Sequence, residues 1–358
     1  MDINERLELI SEVGEEIIKK EELKALLESG KPLIAYDGFE PSGRIHIAQG
    51  ILRAINVNKM TKAGVKFKML VADWHGWANN KMGGDLEKIQ KVGEYFIEVW
   101  KACGMDLDNV EFVWANDMVV DREYWKTVMN IARSSTVKRI TRCGQIMGRK
   151  EGEVQHASQI LYPCMQAADI FHLKANICQL GMDQRKVNVL AREVGPSLGF
   201  WKPIIVSHHM LMGLTQPKSD ATDATEKAID MKMSKSNPNS AIFMDDSEKD
   251  IKSKMNKAWC PEKQAKENPV LEYCRYIIFE KYDNFKIERP EKFGGNLEFT
   301  SYAELEKAYV AGDIHPADLK GSVAKYIIEL IEPVRKHFET DKRAKELLEF
   351  VKAQKVTR

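Results

Sequence analysis

Apolar positions recur along this chain in two rhythms. Short apolar runs near 32–35, 67–72, 110–114, 173–178 and 203–206 predict strands, and three- to four-residue periodicity near 46–63, 85–103, 122–135, 155–170 and 184–195 predicts helices. Ahead of them, residues 4–29 read as one helix ending at Gly30. Strands alternating with helices imply an α/β fold with a parallel sheet. Gly, Asn, Pro and Ser cluster over 213–239, which predicts a long loop. From residue 245 onward helices dominate, one of them over 270–280 and a last long one after His315-Pro316, a proline suited to a first helical turn. Leu319, Val323, Tyr326, Ile327, Leu330, Ile331, Val334 and Phe338 recur there at spacings of three and four, so one face is buried, and Pro333 is expected to kink it.

At 358 residues, with 44% apolar and 30% charged positions, the chain suits two globular domains. No run of 18 apolar residues occurs, so no membrane partner is expected. The opening Met1-Asp2-Ile3-Asn4-Glu5-Arg6 lacks the basic-then-apolar order of a secretory leader. The six cysteines form no Cys-x-x-Cys pair, which argues against zinc and for reduced thiols in a cytoplasmic protein. A net charge of +1 carries no information about nucleic acid, so any such binding must come from local patches.

Two segments carry chemistry. The first, Tyr36-Asp37-Gly38-Phe39-Glu40-Pro41-Ser42-Gly43-Arg44-Ile45-His46-Ile47-Ala48-Gln49-Gly50, reads as strand, turn and helix start, a place where α/β sheets bind phosphate. Gly38 lets a ligand approach the backbone, and His46 could donate to a phosphate oxygen. The second, Lys232-Met233-Ser234-Lys235-Ser236, places two flexible ammonium groups in a loop. Read separately, these are equally a strand end with a core tyrosine and a solvated basic loop. Tyr162, Gln166 and Asp169, spaced i, i+4 and i+7, share one helix face among apolar neighbours. Gly181-Met182-Asp183-Gln184 follows a strand and opens a helix, where Asp183 could also serve as an N-cap. Residues 126–150 hold seven basic side chains (Lys126, Arg133, Lys138, Arg139, Arg142, Arg149 and Lys150) and no acidic one, a candidate phosphate-contact surface.

The pair of segments resembles the "HIGH" and "KMSKS" elements of class I aminoacyl-tRNA synthetases, with Ala48 and Gln49 standing where the family has Gly and His. A glutamine can still donate a hydrogen bond. With Ala72-Asp73-Trp74-His75, Tyr162 to Asp169, Gly181 to Lys186, Arg289 to Gly295 and His315 to Lys320, the likeness extends over nearly the whole chain and is to tyrosyl-tRNA synthetases of the archaeal and eukaryotic type. It implies a Rossmann-like parallel-sheet catalytic domain over 1–245, with a helical insertion at about 118–158 and the lysine loop at about 213–240, then an α-helical anticodon-binding domain over 246–358. The implied activity joins L-tyrosine, ATP and tRNA(Tyr). Magnesium accompanies ATP, no tightly bound protein metal is expected, and the assembly is a homodimer with the insertion at its interface.

The resemblance also implies residue roles. His46, Lys232 and Lys235 are catalytic, and with Gly38, Gln49, Asp183 and Ser234 they bind ATP. Tyr36, Tyr162, Gln166, Asp169 and Gln184 bind tyrosine. Arg133, Lys138, Arg139 and Arg142 meet the acceptor stem, and Phe293, His315 and Asp318 the anticodon. The plain alternative for Asp318 is an acid favoured in the first helical turn. Rival readings are the sister tryptophanyl enzyme, a non-catalytic RNA-binding protein on the same scaffold, and a nucleotidyltransferase of related fold.

Overall fold

The computed structural model describes residues 1–147, 156–219, 221, 224–233 and 237–354. Its main sheet comprises β1 (Glu16–Ile18), β2 (Ile34–Phe39), β3 (Lys66–Val71), β4 (Val110–Trp114), β5 (Ile177–Cys178) and β6 (Ile204–Ser207), in the order β1-β6-β5-β2-β3-β4. Neighbours from β6 to β4 run parallel, whereas β1 lies antiparallel on β6, pairing Glu16 with Ser207. The sheet is therefore mixed, and the single helix expected over 4–29 is instead α1 (Ile3–Val13), β1 and α2 (Lys20–Glu28). Gly14 is the cause. A Cβ there would sit 2.8 Å from Ile17 Cγ1 and 3.1 Å from Val206 Cγ1, so only glycine lets the chain fold onto the sheet edge.

The remaining helices are α3 (Ile51–Lys62), α4 (Asp73–Ala78), α5 (Leu86–Ala102), α6 (Ala115–Met118), α7 (Arg122–Arg133), α8 (Val137–Arg142), α9 (Ala157–His172), α10 (Arg185–Val194), α11 (Ala224–Met231), α12 (Glu248–Lys257), α13 (Pro269–Tyr273), α14 (Tyr302–Ala311), α15 (Pro316–Thr340) and α16 (Lys342–Ala353). The helix expected from 46 starts only at Ile51, because residues 45–47 are drawn into backbone pairing: Ile47 N donates to Ile242 O at 2.8 Å and Met244 N to Ile45 O at 2.9 Å. The expected loop over 213–239 contains α11. The helix expected over 270–280 is α13 followed by a π-helical turn, Cys274–Ile278. The C-terminal part also holds a hairpin, β7 (Phe285–Ile287) on β8 (Leu297–Phe299). In α15 the predicted apolar face is buried except at its flanks, Tyr326 and Leu330, which are half-buried, and Pro333 lies inside the helix.

Strand alternation splits the core in two. Ala35, Phe67, Met69, Ile177, Ile204 and Val206 face α3, α5 and, continuously, the C-terminal helices. Tyr36, Leu70, Cys178 and Leu180 face α7, α9 and α10.

Candidate active site

Chain order reverses between β2 and β5: β2 continues to β3 on one side, and β5 lies on the other. In open α/β sheets the crevice outside the C-terminal ends at such a switch point is where ligands bind. Tyr36 and Gly38 come from β2, and Gly181, Asp183 and Gln184 from the turn after β5. A side chain on Gly181 would displace its neighbours, since a Cβ would meet Met210 Sδ at 2.6 Å and Asp183 Oδ1 at 2.7 Å. The Lys232 ammonium pairs with Asp183 Oδ2 at 2.7 Å, which brings the start of the lysine loop to this crevice. Ser234 and Lys235 lie outside the described residues.

On one face of α9, Tyr162, Gln166 and Asp169 are all buried. Gln166 Nε2 donates to Gln184 Oε1 at 3.0 Å, and Gln184 Nε2 donates to the Ile146 carbonyl at 3.2 Å. Asp169 is fully buried, and a buried carboxylate needs partners. Its Oδ1 accepts from the Tyr124 hydroxyl at 2.9 Å. Its Oδ2 lies 2.9 Å from His75 Nε2, an ion-pair distance at an angle outside hydrogen-bonding geometry. Burial opposes the His75 imidazolium, but Asp169, with Glu40 and Asp73 adding to it, outweighs burial and holds the His75 pKa above its ordinary value. The His75 ring meets Tyr162 edge-on at 5.1 Å. The Tyr36 hydroxyl, also buried, makes no hydrogen bond of good geometry among the described residues, although the Gln166 side chain lies close to it. Burial pushes its phenol well up, and Cys178 and Asp169 add to this, so it stays protonated and able to donate.

Sequence reasoning missed the roles of His75 and Tyr124. His75 lies in Ala72-Asp73-Trp74-His75 at the end of β3, a position that could have flagged it. Tyr124 sits on α7, within the stretch read as the RNA-facing insertion. That helix is two-sided: Tyr124, Val128 and Ile131 turn inward against α9, while Arg133 is exposed.

The turn carrying His46 is tied to the segment after the lysine loop. His46 bridges Phe243, Arg44 pairs with Asp245 at 2.8 Å and Asp246 at 2.9 Å, and its guanidinium lies 4.2 Å over the Phe243 ring. Lys254 closes on Asp246 at 2.5 Å, and Lys352 of α16 reaches Asp245 at 3.0 Å. The Gln49 carbonyl accepts from Trp100 Nε1 at 2.9 Å, while its buried side-chain oxygen has no partner among the described residues.

The basic run is less uniform than its sequence. Arg133, Lys138 and Arg142 are exposed, but Arg139 pairs with Glu193 of α10 at 2.8 Å, and Arg149 and Lys150 lie outside the described residues. In the C-terminal part, Phe293 is 60% exposed at the end of a 3₁₀ turn. Arg289 holds that turn, donating to Gly295 O at 2.6 Å and Asp313 O at 2.7 Å. Asp313 lies two residues before His315, whose Nδ1 accepts from Ala317 N at 3.1 Å and caps α15. The cap is thus His315, with Asp318 in the first turn beyond it.

This combination, a switch-point crevice that Lys232 reaches through Asp183 and a helical C-terminal region, is the architecture of a class I synthetase. The family described as tRNA synthetases class I (W and Y) matches residues 28–332, and the chain belongs to it. The relatives place it on the tyrosyl side, with enzymes of the archaeal and eukaryotic cytoplasmic type. It is 52% identical to tyrosine--tRNA ligase 1, cytoplasmic, of Arabidopsis thaliana, over all of this chain and 90% of that one. It is 44% identical to tyrosine--tRNA ligase of Thermococcus kodakarensis over the full length of both. Among solved structures, tyrosyl-tRNA synthetase of Pyrococcus horikoshii complexed with L-tyrosine superposes with a TM-score of 0.91 at 40% identity, covering 99% of this chain and all of that one.

Proposed function

We propose that this chain activates L-tyrosine with ATP to tyrosyl-adenylate and transfers tyrosine to the terminal ribose of tRNA(Tyr). The observation that carries the choice of amino acid is the buried Tyr36 hydroxyl beside Asp169, without a hydrogen bond of good geometry. A substrate phenol placed between them would donate to the carboxylate and accept from Tyr36, completing both. Tyr162, Gln166 and Gln184 would hold the ammonium end. In the first step the tyrosine carboxylate attacks the α-phosphorus and pyrophosphate leaves. A tRNA ribose hydroxyl then attacks the adenylate carbonyl, releasing AMP. No side chain need act as nucleophile, since the site positions reactants and neutralises charge. ATP, bringing magnesium as part of the substrate, would lie along Gly38, His46, Gln49 and Asp183. Lys232 would swing from Asp183 to the phosphates, with Ser234 and Lys235 following in the same loop.

Arg133, Lys138, Arg139 and Arg142 would meet the acceptor stem, and Phe293, His315 and Asp318 the anticodon. A homodimer through the insertion is supported by the exposure of Val120 (82%), Val137 (67%) and Met129 (53%) on one stretch of chain. A cytoplasmic location is supported by the printed name of the Arabidopsis relative. No helix among the described residues is long and apolar enough to cross a membrane. The test is amino-acid-dependent exchange of labelled pyrophosphate into ATP without tRNA, run across all amino acids. Tyrosine should support it. Stronger exchange with tryptophan would assign the chain to the sister enzyme, and no exchange by folded protein would favour an RNA-binding module.

A further inference from the structure

Arg53 of α3 is 1% exposed, an unusual place for a guanidinium. Its Nη1 donates to Asp37 Oδ2 at 2.9 Å and lies 2.9 Å from His208 Nδ1, and its Nη2 donates to Gln179 Oε1. Gln179 Nε2 also lies 3.0 Å from His208 Nδ1. That nitrogen faces two N–H groups, so it is the acceptor and His208 is the neutral tautomer with its proton on Nε2. Burial and the Arg53 charge both keep His208 from protonating.

The three partners come from adjacent strand ends. Ala35 pairs with Ile177 and Cys178 with Ile205, which sets Asp37 beside Gln179, and Gly181 bridges His208. Asp37 reaches the crevice backbone through its side chain, His208 through its main chain, and Gln179 through its place in the chain. Asp37 Oδ1 accepts from Gly38 N at 2.8 Å. His208 N donates to Leu180 O at 2.9 Å and its carbonyl accepts from Met182 N at 3.2 Å, while Gln179 directly precedes Leu180. Alternation puts all three side chains on the α3 face, opposite Tyr36 and α9. A planar fork with several donors suits this task, whereas an ammonium matches the charge but not the geometry.

We propose that Arg53 is a positioning residue for the nucleotide: from behind the sheet it fixes the backbone at Gly38 and at Gly181–Asp183, the two turns that receive ATP. The tyrosine pocket, on the other face, does not depend on it in the same degree. This rests on the ATP assignment of those turns.

The test measures pyrophosphate exchange and equilibrium tyrosine binding on the full chain, with thermal melts. Arg53→Lys should stay folded and bind tyrosine within about twofold of wild type, while its KM for ATP rises about tenfold or more, in keeping with small misplacements of bound reactants. An Arg53→Lys variant with unchanged ATP KM, or one in which tyrosine and ATP affinities fall by the same factor, overturns the proposal. Should Arg53→Lys not fold, the neutral pair Asp37→Asn/Arg53→Gln is read by the same criteria. Asp183→Asn serves as the control. If it leaves the ATP KM unchanged, the ATP assignment fails. If it raises that KM and the Arg53 variants do not, the role of Arg53 alone fails.

Discussion

Replacing Asp169 with asparagine should collapse discrimination between tyrosine and phenylalanine while leaving a folded enzyme. The carboxylate is fully buried, accepts from Tyr124 at 2.9 Å, and lies 2.9 Å from His75. A substrate phenol would add one hydrogen bond to a charged acceptor, worth about 1.5–3 kcal/mol. At 1.36 kcal/mol per factor of ten, that is about 10- to 150-fold in kcat/KM. Phenylalanine gains none of this and leaves the Tyr36 hydroxyl buried without a hydrogen bond of good geometry, at a further cost of about 1–3 kcal/mol. Asparagine keeps the size and one acceptor oxygen, but that oxygen is uncharged and is already claimed by Tyr124. The tyrosine-to-phenylalanine ratio should therefore narrow by at least about tenfold, most of it through loss on tyrosine. The assay is pyrophosphate exchange with each amino acid at subsaturating concentration, with tyrosine protection against thermal unfolding as a second reading. A ratio within twofold of wild type, in a variant that melts normally, would place Asp169 outside the pocket and refute the reasoning.

Four further outcomes are expected. Burial opposes protonation of His209, but Glu15 at 2.9 Å and Glu272 at 3.1 Å prevail and push its pKa up to about 9. The folded pKa exceeds the unfolded value of about 6.5, so this stabilisation is fully present below about pH 6.5 and is lost as pH rises through about 9. His209→Gln should flatten the denaturation profile across that window and remove up to about 3 kcal/mol at its acid end, and a parallel profile would count against it. Lys232→Ala should lower kcat for exchange by about a hundredfold with tyrosine affinity retained, because its charge is needed as pyrophosphate departs; an unchanged kcat would refute that. Changing Arg133, Lys138 and Arg142 to glutamine should flatten the salt dependence of tRNA binding by roughly one unit of slope per lost phosphate contact, with adenylate formation intact. If charging is unaffected at moderate salt, those three are a solvated face. Asp318→Ala should cost about 1–3 kcal/mol of preference for guanine at the first anticodon position, by analogy with bidentate base contacts, and leave tyrosine activation normal. A variant retaining the full preference would mean that the anticodon is read elsewhere.

The sequence by itself determined the parts whose signal is local. Alternating apolar runs and periodic helices specify an α/β chain, because burying one face of each element imposes its period. The strands β2 to β6 and the long α15 followed from that pattern. Strand–turn–helix grammar sets Gly38 and Gly181–Asp183 each at a strand end, and the strand order makes those ends neighbours. The tertiary structure decided what depends on partners remote in the chain. The antiparallel β1 was hidden inside a helical-looking stretch, since three residues carry little period and need β6 to be a strand at all. Residues 45–47 leave their helix only because 242–244 offers them backbone bonds. Arg139 lost its place in a purely basic run to Glu193, 54 positions away. Tyr124 was illegible as a site residue, and His75 was legible only as part of a motif, because a buried carboxylate's partners are fixed by packing and not by spacing. The same holds for Arg53. It sits in a helix buried over most of its length, and only the register of three strands gathers Asp37, Gln179 and His208 around one guanidinium.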